Sequence, residues 1–448
     1  MNSKFFQFLF RRSQALGKRV DRFSHSLLVK RKWQYIFSLI CAVLLSCTCY
    51  IVENQPYALS DKSFLFYTFE MPFRQWTHDF ERKVKFVNVS HDRQLVPIDP
   101  SDTTLGNTDI TDRQKLLRFL QILNRKDVHY KAIMMDIRFE KMLQTDVDSA
   151  LYHTIAGMPN IAVAHHYTDT LSDYEIADSI LLEKAGIADY KQVAYESNFF
   201  RYPFLQEQGP SLALKMYDMV RGQKTSIKKI SKLPVYVDGL RLCTNCPLLP
   251  ISGDVYDKWT SPKKKNRASG LEEHYNYYED LGADWLQWEE ERDWQMDLND
   301  SYIVIGDFEN DVHDTYAGPR SGVYINWRAY LYLEEGSHIL SWSYVVLIFV
   351  FYALMVYLMF SINNIARKEG NRDNKALLFL LSILRWLGTI GLLYLMTFLF
   401  YKIYTVRYNV TIPIFFIAIV NFIIQNANKY EEKHEKTSAP VDMPAVDC

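Results

Sequence analysis

The chain alternates between two textures. Apolar residues run uninterrupted by charge from Gln34 to Val52 and again from Ser341 to Ile362. Each run matches the ~20 residues that an α-helix needs to cross a bilayer. Ala376–Tyr401 is apolar apart from Arg385, and Val410–Gln425 carries no charge. These four runs predict spanning helices at 34–52, 341–362, 376–401 and 410–425. Between the first two the pattern shortens. Val84–Val89, Lys131–Ile137, Asn160–Ala164 and Ser301–Ile305 read as strands, the second as one buried on both faces. Thr111–Lys126 and Asp146–Met158 read as helices, with Leu116, Leu117, Leu120 and Leu123 at helical spacing in the first. Gln192–Glu196 is a further candidate strand and Ser211–Arg221 a further helix. Strand–helix–strand–helix–strand predicts an α/β fold: a mainly parallel sheet with flanking helices. The stretch 243–300 breaks the rhythm and reads as an insertion carrying one helix, about 283–297.

Charge orients this arrangement. The 448 residues carry a net charge of −1, so no global basic surface points to nucleic acid. Locally, residues 1–33 hold Lys4, Arg11, Arg12, Lys18, Arg19, Arg22, Lys30, Arg31 and Lys32 against one acid, Asp21. Arg367, Lys368, Arg372 and Lys375 follow the second span. The positive-inside rule puts both segments in the cytoplasm, the domain 53–340 outside and the tail 426–448 inside. The long basic stretch before residue 34 favours an uncleaved anchor over a signal peptide. Residues 5–28 read either as a helix lying on anionic lipid, through the stripe Leu9, Leu16, Val20, Phe23 and Leu27, or as a disordered basic arm.

Candidate chemistry gathers where strands end, because ligands of parallel sheets bind outside the carboxyl ends. Ser90, His91 and Asp92 follow the first strand; Asp136 and Arg138 end the second; His165 and His166 end the third; Asp307, Asp311, His313 and Asp314 follow the last. If these strands are adjacent, carboxylates and imidazoles converge and can hold a cation or a polar ligand, so Ser90, Asp92, Asp136, Arg138, His165, Asp307, Asp311 and His313 are the candidate ligand-binding residues. The competing reading is that they satisfy loop backbone groups. Asp146-Val-Asp148 resembles a metal-binding pair, but acids are expected in the first turn of a helix. Phosphate loops, nucleophile elbows and zinc-helix motifs are absent, so no catalytic residue and no cofactor is expected.

Cys243 and Cys246 form a Cys-Thr-Asn-Cys loop, for which the readings in order are a disulfide, free thiols and a redox centre. Arg385 is costly at mid-span unless it snorkels or pairs, and Asn421 and Gln425 are candidate partners. Trp285, Trp288 and Trp294 read either as a partner-binding surface or as anchors of their helix.

Several blocks resemble one family. They are Val87-Asn88-Val89-Ser90, Ile110-Thr111-Asp112-Arg113, Ala132 to Phe139, Ile303 to Asp307, Asp311 to Thr315, and Gly322-Val323-Tyr324-Ile325. In this order, with one anchor before and three spans after, they resemble the CHASE type-two sensor family, whose extracytoplasmic domains are often attached to cyclases and histidine kinases. The resemblance implies a ligand- or stress-sensing role at a bacterial inner membrane. The stretch 243–300 departs from a compact member. No output domain follows the last span, which implies that a separate protein partner supplies the output, with homo-oligomerisation open. The alternatives are a structural or docking subunit of an envelope complex and, third, a membrane-tethered hydrolase using the Asp/His edge.

Overall fold

The computed structural model describes residues 31–55, 84–99, 101–139, 143, 145–166, 178–189, 201–223, 226–230, 232–247, 249, 278–287, 289, 292–315, 318–368, 375–404 and 411–438. The basic segment before residue 31, most of the stretch to residue 83, the candidate strand at 192–196, the basic loop at 263–267 and the last ten residues lie outside these. The chain divides into two compact units: an α/β unit containing residues 62–340, and a helical unit built from residues up to Glu53 and from Ser341 onward.

Among the described residues six parallel strands make the sheet of the α/β unit: β1 (Val84–Asn88), β4 (Ala132–Asp136), β5 (Ile161–His165), β6 (Ala185–Ile187), β10 (Glu279–Asp280) and β11 (Tyr302–Gly306). Their order across the sheet is β10-β1-β11-β4-β5-β6. Alternation of side chains divides the core into two layers. Ile133, Met135, Ile161, Val163, Ile303 and Ile305 face helices α2 (Arg113–Leu123), α3 (Asp148–Gly157) and α6 (Trp294–Leu298). Ala132, Met134, Ala162, Ala164, Tyr302 and Val304 face α4 (Leu212–Val220) and α7 (Gly322–Glu334). Helices on both faces explain why the strands read as continuous apolar runs.

The ends of these elements follow local chemistry. Asp112 caps α2 by accepting from the Lys115 amide, and Ser211 caps α4 in the same way by accepting from the Leu214 amide. Asp148 accepts the Thr145 hydroxyl at 2.7 Å and the Arg113 guanidinium at 2.5 Å, so it neutralises a buried arginine rather than forming a metal pair with Asp146. Among the described residues three small antiparallel units lie outside the main sheet: the hairpin β2 (Arg93–Pro97) with β3 (Asn107–Thr111), the sheet β7 (Ile227–Lys229), β8 (Tyr236–Asp238) and β9 (Arg241–Cys243), and the hairpin β12 (Val312–Thr315) with β13 (Gly318–Ser321).

The stretch expected to be a simple insertion contributes to the main fold. Its later part supplies edge strand β10, a wide π-type turn α5 (Leu281–Leu286) and α6, two separate turns in place of one helix over 283–297. Trp285 and Trp294 pack on Phe119 at 5.5 and 5.7 Å, and the Arg292 guanidinium lies 3.5 Å above Trp285. Both indoles are therefore anchors of these turns, not a partner surface; Trp288 lies outside the described residues.

In the helical unit, Arg31–Glu53 (α1) and the Trp342–Ser361 part of α8 (Trp342–Lys368) are each long and apolar enough to cross a membrane. Leu387–Phe400, within α9 (Lys375–Tyr404), and Ile412–Asn426, within α10 (Thr411–Ser438), are shorter apolar stretches. Phe37, near the start of α1, meets Phe360, toward the end of α8, and Cys49, near the end of α1, meets Tyr352, as antiparallel neighbours do. The buried stripe of α1 is Gln34, Ser38, Cys41, Ala42, Leu45 and Cys49, with small residues at four of these positions. Small side chains of this kind let helices approach closely in lipid.

Candidate functional site

The sheet places the strand ends side by side. Chains leaving β1, β4 and β10 pass to the α2/α3 face, whereas the chain leaving β11, which lies between β1 and β4, passes to the α7 face. Neighbouring strands whose loops part in this way open a crevice at their carboxyl ends. Two such crevices flank β11, and their contents differ.

The β1/β11 crevice is filled by its own hydrogen bonds. Asp307 accepts from the Ser90 hydroxyl at 2.5 Å, the amides of Glu309 and Asn310 at 3.1 and 2.8 Å, the Asn310 side chain at 3.1 Å and the Arg93 guanidinium at 2.6 Å. Asn88 Oδ1 accepts from the amides of Ser90 and Phe308. Burial pushes Asp307 up, but the Ser90 and Asn310 bonds outweigh it and hold the carboxyl below its ordinary value. A carboxylate with five donors has little capacity left for a ligand. Ser90 and Asp307 thus brace the loops, as the competing reading of the sequence allowed.

The β4/β11 crevice is different. Asp136, at the end of β4, lies on the α7 side, where its Oδ2 accepts from Asn326 Nδ2 at 2.7 Å. Asn326 in turn accepts from the Tyr202 hydroxyl at 2.6 Å, which orients its amide. His166 Nδ1 lies 2.8 Å from Asp189 Oδ1, and His313 Nε2 lies 3.0 Å from Asp311 Oδ1. Burial, and next the charge of Asp311, push Asp136 from 3.8 to about 6 against the pull of His166, Asn326 and His313. The bond to Asp311 lifts His313; burial alone would lower His166, but the bond and charge of Asp189 carry it above its ordinary value. The side chains of Asp311 and His313 remain 47% and 27% exposed, so the crevice is open to solvent. Gly322, the first residue of α7, lets Asp311 approach, because a Cβ there would collide with Asp311 Oδ2.

The sequence-predicted residues therefore separate. Asp136, Asp311 and His313 come together. His165, by strand alternation, falls on the other face and is buried there, and His166 takes the place expected for it. Arg138 is exposed and close enough to His166 for its charge to be felt there. Asp92 lies further along the edge, where it accepts from Lys115 Nζ at 2.7 Å and the Gly282 amide at 2.9 Å. It helps to line a cavity of about 660 Å³ with His91, Gln114, Lys115, Arg118 and Asp280. Charges there are compensated internally: Lys115 by Asp92 and Arg118 by Glu289. Asn326 and Asp189 were not legible in the sequence, since one lies on a helix and the other on a loop that only the sheet brings near.

Among the described residues no three His, Cys, Asp or Glu side chains come together as metal ligands do. Cys243 and Cys246 are both buried and carry no disulfide between them, in place of the expected one. Cys243 is held in the β8–β9 ladder and bridges to Ile339, while Cys246 Sγ accepts from the Asn245 amide at 3.7 Å. Burial pushes both thiols up, Cys246 to about 12, the reverse of what a redox nucleophile needs. In the helical unit Asn421 is buried, and the Arg385 side chain lies outside the described part. Comparison with protein-family models, curated proteins and solved structures returned no match.

Proposed function

We propose that the protein is a membrane-anchored sensor or binding subunit whose α/β domain responds at the β4/β11 crevice and acts through a partner protein. The observation that carries this is the contrast between the two crevices. Asp307 accepts five hydrogen bonds, whereas Asp136 accepts from Asn326 beside the carboxylate–imidazole pairs Asp311–His313 and His166–Asp189, in a crevice open to solvent. Perturbed titratable groups in an open crevice are a mark of functional sites.

The membrane arrangement belongs to the same proposal: four spans, both ends of the chain cytoplasmic, the α/β domain outside and a bacterial inner membrane as the location. It is supported by the basic clusters before residue 34 and after residue 366 and by exposed Trp33 and Trp342, near the first residues of α1 and α8, as residues of interfacial belts. The CHASE type-two resemblance favours a sensor. Its quoted blocks lie along β1, β4 and β11 in the middle of the sheet, at the starts of α2 and α7, and along β12 outside it.

A structural or docking subunit of an envelope complex is the second reading, favoured by the bracing roles of Ser90 and Asp307. The two separate in one experiment on the detergent-solubilised protein: thermal stabilisation by a solute panel, and capture of partners, each for the wild type and for Asp136→Ala and His313→Ala. Responses that both variants weaken support the sensor. A partner bound in fixed stoichiometry and indifferent to both variants, with no solute effect, replaces it with the docking reading.

A further inference from the structure

We propose that the outer face of the β7–β8–β9 sheet rests on the bilayer surface, with its apolar side chains in the interfacial layer and its basic side chains on anionic lipid headgroups. This rests on the membrane arrangement proposed above and gives the α/β domain a lipid-facing surface. Alternation divides the small sheet into two faces. Ile227, Tyr236 and Cys243 turn inward and join the core that α4 and α7 cover. The opposite face carries the cross-strand row Lys228, Val237 and Leu242. Ile230 and Val235 extend it by one rung, where the Ile230 amide donates to the Val235 carbonyl at 2.9 Å. Leu240 stands at the turn between β8 and β9 and is 97% exposed; Ile230 is 63% exposed and Leu233, in the other turn, 57%. Val235, Val237 and Leu242 are half-buried. An antiparallel sheet with water on one side puts polar side chains there. Here only Lys228 of that face is polar, and apolar surface left open in this way marks a contact.

Charge selects the occupant. Lys228, Lys229, Lys232 and Arg241 are exposed on this sheet and its turns. The one acid between Ser226 and Cys243 is Asp238, which is buried and bonded to His338 and Arg221. Leucine and isoleucine rimmed by lysine and arginine suit a surface of anionic headgroups over an apolar interior. The course of the chain brings such a surface to the sheet. Ile339 bridges Cys243 in antiparallel sense, and the Leu340 amide donates to the Leu242 carbonyl at 2.9 Å, so residues 338–340 run beside β9 toward the Leu240 turn. Trp342, where the bilayer-length part of α8 begins, is two residues on, a reach of at most about 7 Å. Beyond β9, the Asn245 amide donates at 2.6 Å to Oδ1 of Asn54, the residue after the last of α1. The sheet is thus tied to the chain where it leaves one bilayer-length helix and where it enters the other.

The test is spin-label accessibility in the full chain, without native cysteines, in nanodiscs of phosphatidylcholine with and without phosphatidylglycerol. Nitroxides on Leu240→Cys and Ile230→Cys should collide more with oxygen, which partitions into lipid, than with an aqueous nickel chelate. Their oxygen-to-nickel ratio should stand several-fold above that of Leu95→Cys, an exposed position on the β2–β3 hairpin. The ratio should fall when phosphatidylglycerol is left out, and the combined variant Lys228→Glu, Lys229→Glu, Lys232→Glu should lose that dependence. Water-accessible labels at Leu240 and Ile230 in the anionic discs overturn the lipid contact, and a ratio equal in the two compositions overturns the headgroup assignment. Labels shielded in native membranes but in neither disc point to a protein partner and overturn the lipid contact as well. Leu354→Cys, on the exposed side of α8, separates this from the membrane arrangement. A high ratio at Leu354 with low ratios at Leu240 and Ile230 leaves the arrangement standing, and low ratios at all three remove both.

Discussion

Two buried ionic arrangements in the α/β domain respond oppositely to substitution. Arg113 is almost wholly buried, bonded to Asp148 at 2.5 Å and to the Tyr152 hydroxyl at 3.0 Å. Its removal strands Asp148 without a counter-charge, so Arg113→Met should cost about 3–5 kcal/mol in denaturant unfolding. Asp136 is the reverse case. Its folded value, about 6, stands above its ordinary 3.8, so its contribution to stability is complete below 3.8 and is lost as pH rises through 6. Asp136→Asn should therefore stabilise the domain at pH 8 by something on the order of 2 kcal/mol and have little effect at pH 4. Melting curves across that range check it. An Asp136→Asn variant less stable than the wild type at pH 8 would contradict the cause assigned to the shift.

At the scale of elements, close approach is the recurring requirement. Gly186 in β6 lies so near α4 that a Cβ would stand 2.6 Å from Leu212 Cα, a backbone atom that cannot swing aside. Gly186→Ala should cost about 1–3 kcal/mol through overpacking, read as a lower melting temperature. In the helical unit, Ala42 is fully buried on the stripe of α1. Ala42→Leu should loosen its packing with α8 and lower the SDS concentration at which the protein unfolds, whereas Leu44→Ala on the exposed face should not. Central strands such as Lys131–Ile137 were legible because burial on both faces demands an unbroken apolar run. Ala185–Ile187 and Glu279–Asp280 were not, since they are only three and two residues long and are held by a neighbouring strand. Helix Gly322–Glu334 was also hidden: it is buried on nearly every side, so it lacks the one-sided stripe by which a surface helix is recognised.

For the whole molecule the sharpest prediction concerns the last two helices. With four spans, a cysteine placed at Thr405, in a background without native cysteines, is modified by an impermeant reagent added outside the cell. With only α1 and α8 spanning, the same position is protected until the membrane is opened. Both outcomes keep the start and the tail of the chain on one side, so the position of Thr405 discriminates where terminal reporters do not.

The apolar runs, the basic clusters and the strand–helix rhythm were determined by the sequence itself, because bilayer thickness, positive-inside charge and helix or strand periodicity act along the chain. The grouping of residues into a site was decided only by tertiary structure. Asp136 and Asp307 end adjacent strands and look equivalent in sequence. Strand alternation and the opposite departure of the β11 loop put one carboxylate into an open crevice and the other among five donors. The same alternation exchanged His165 for His166, and packing against α7 recruited Asn326 from 190 residues away. Contacts between positions so distant leave no periodic trace, since what selects them is the facing of side chains across layers and not their order in the chain.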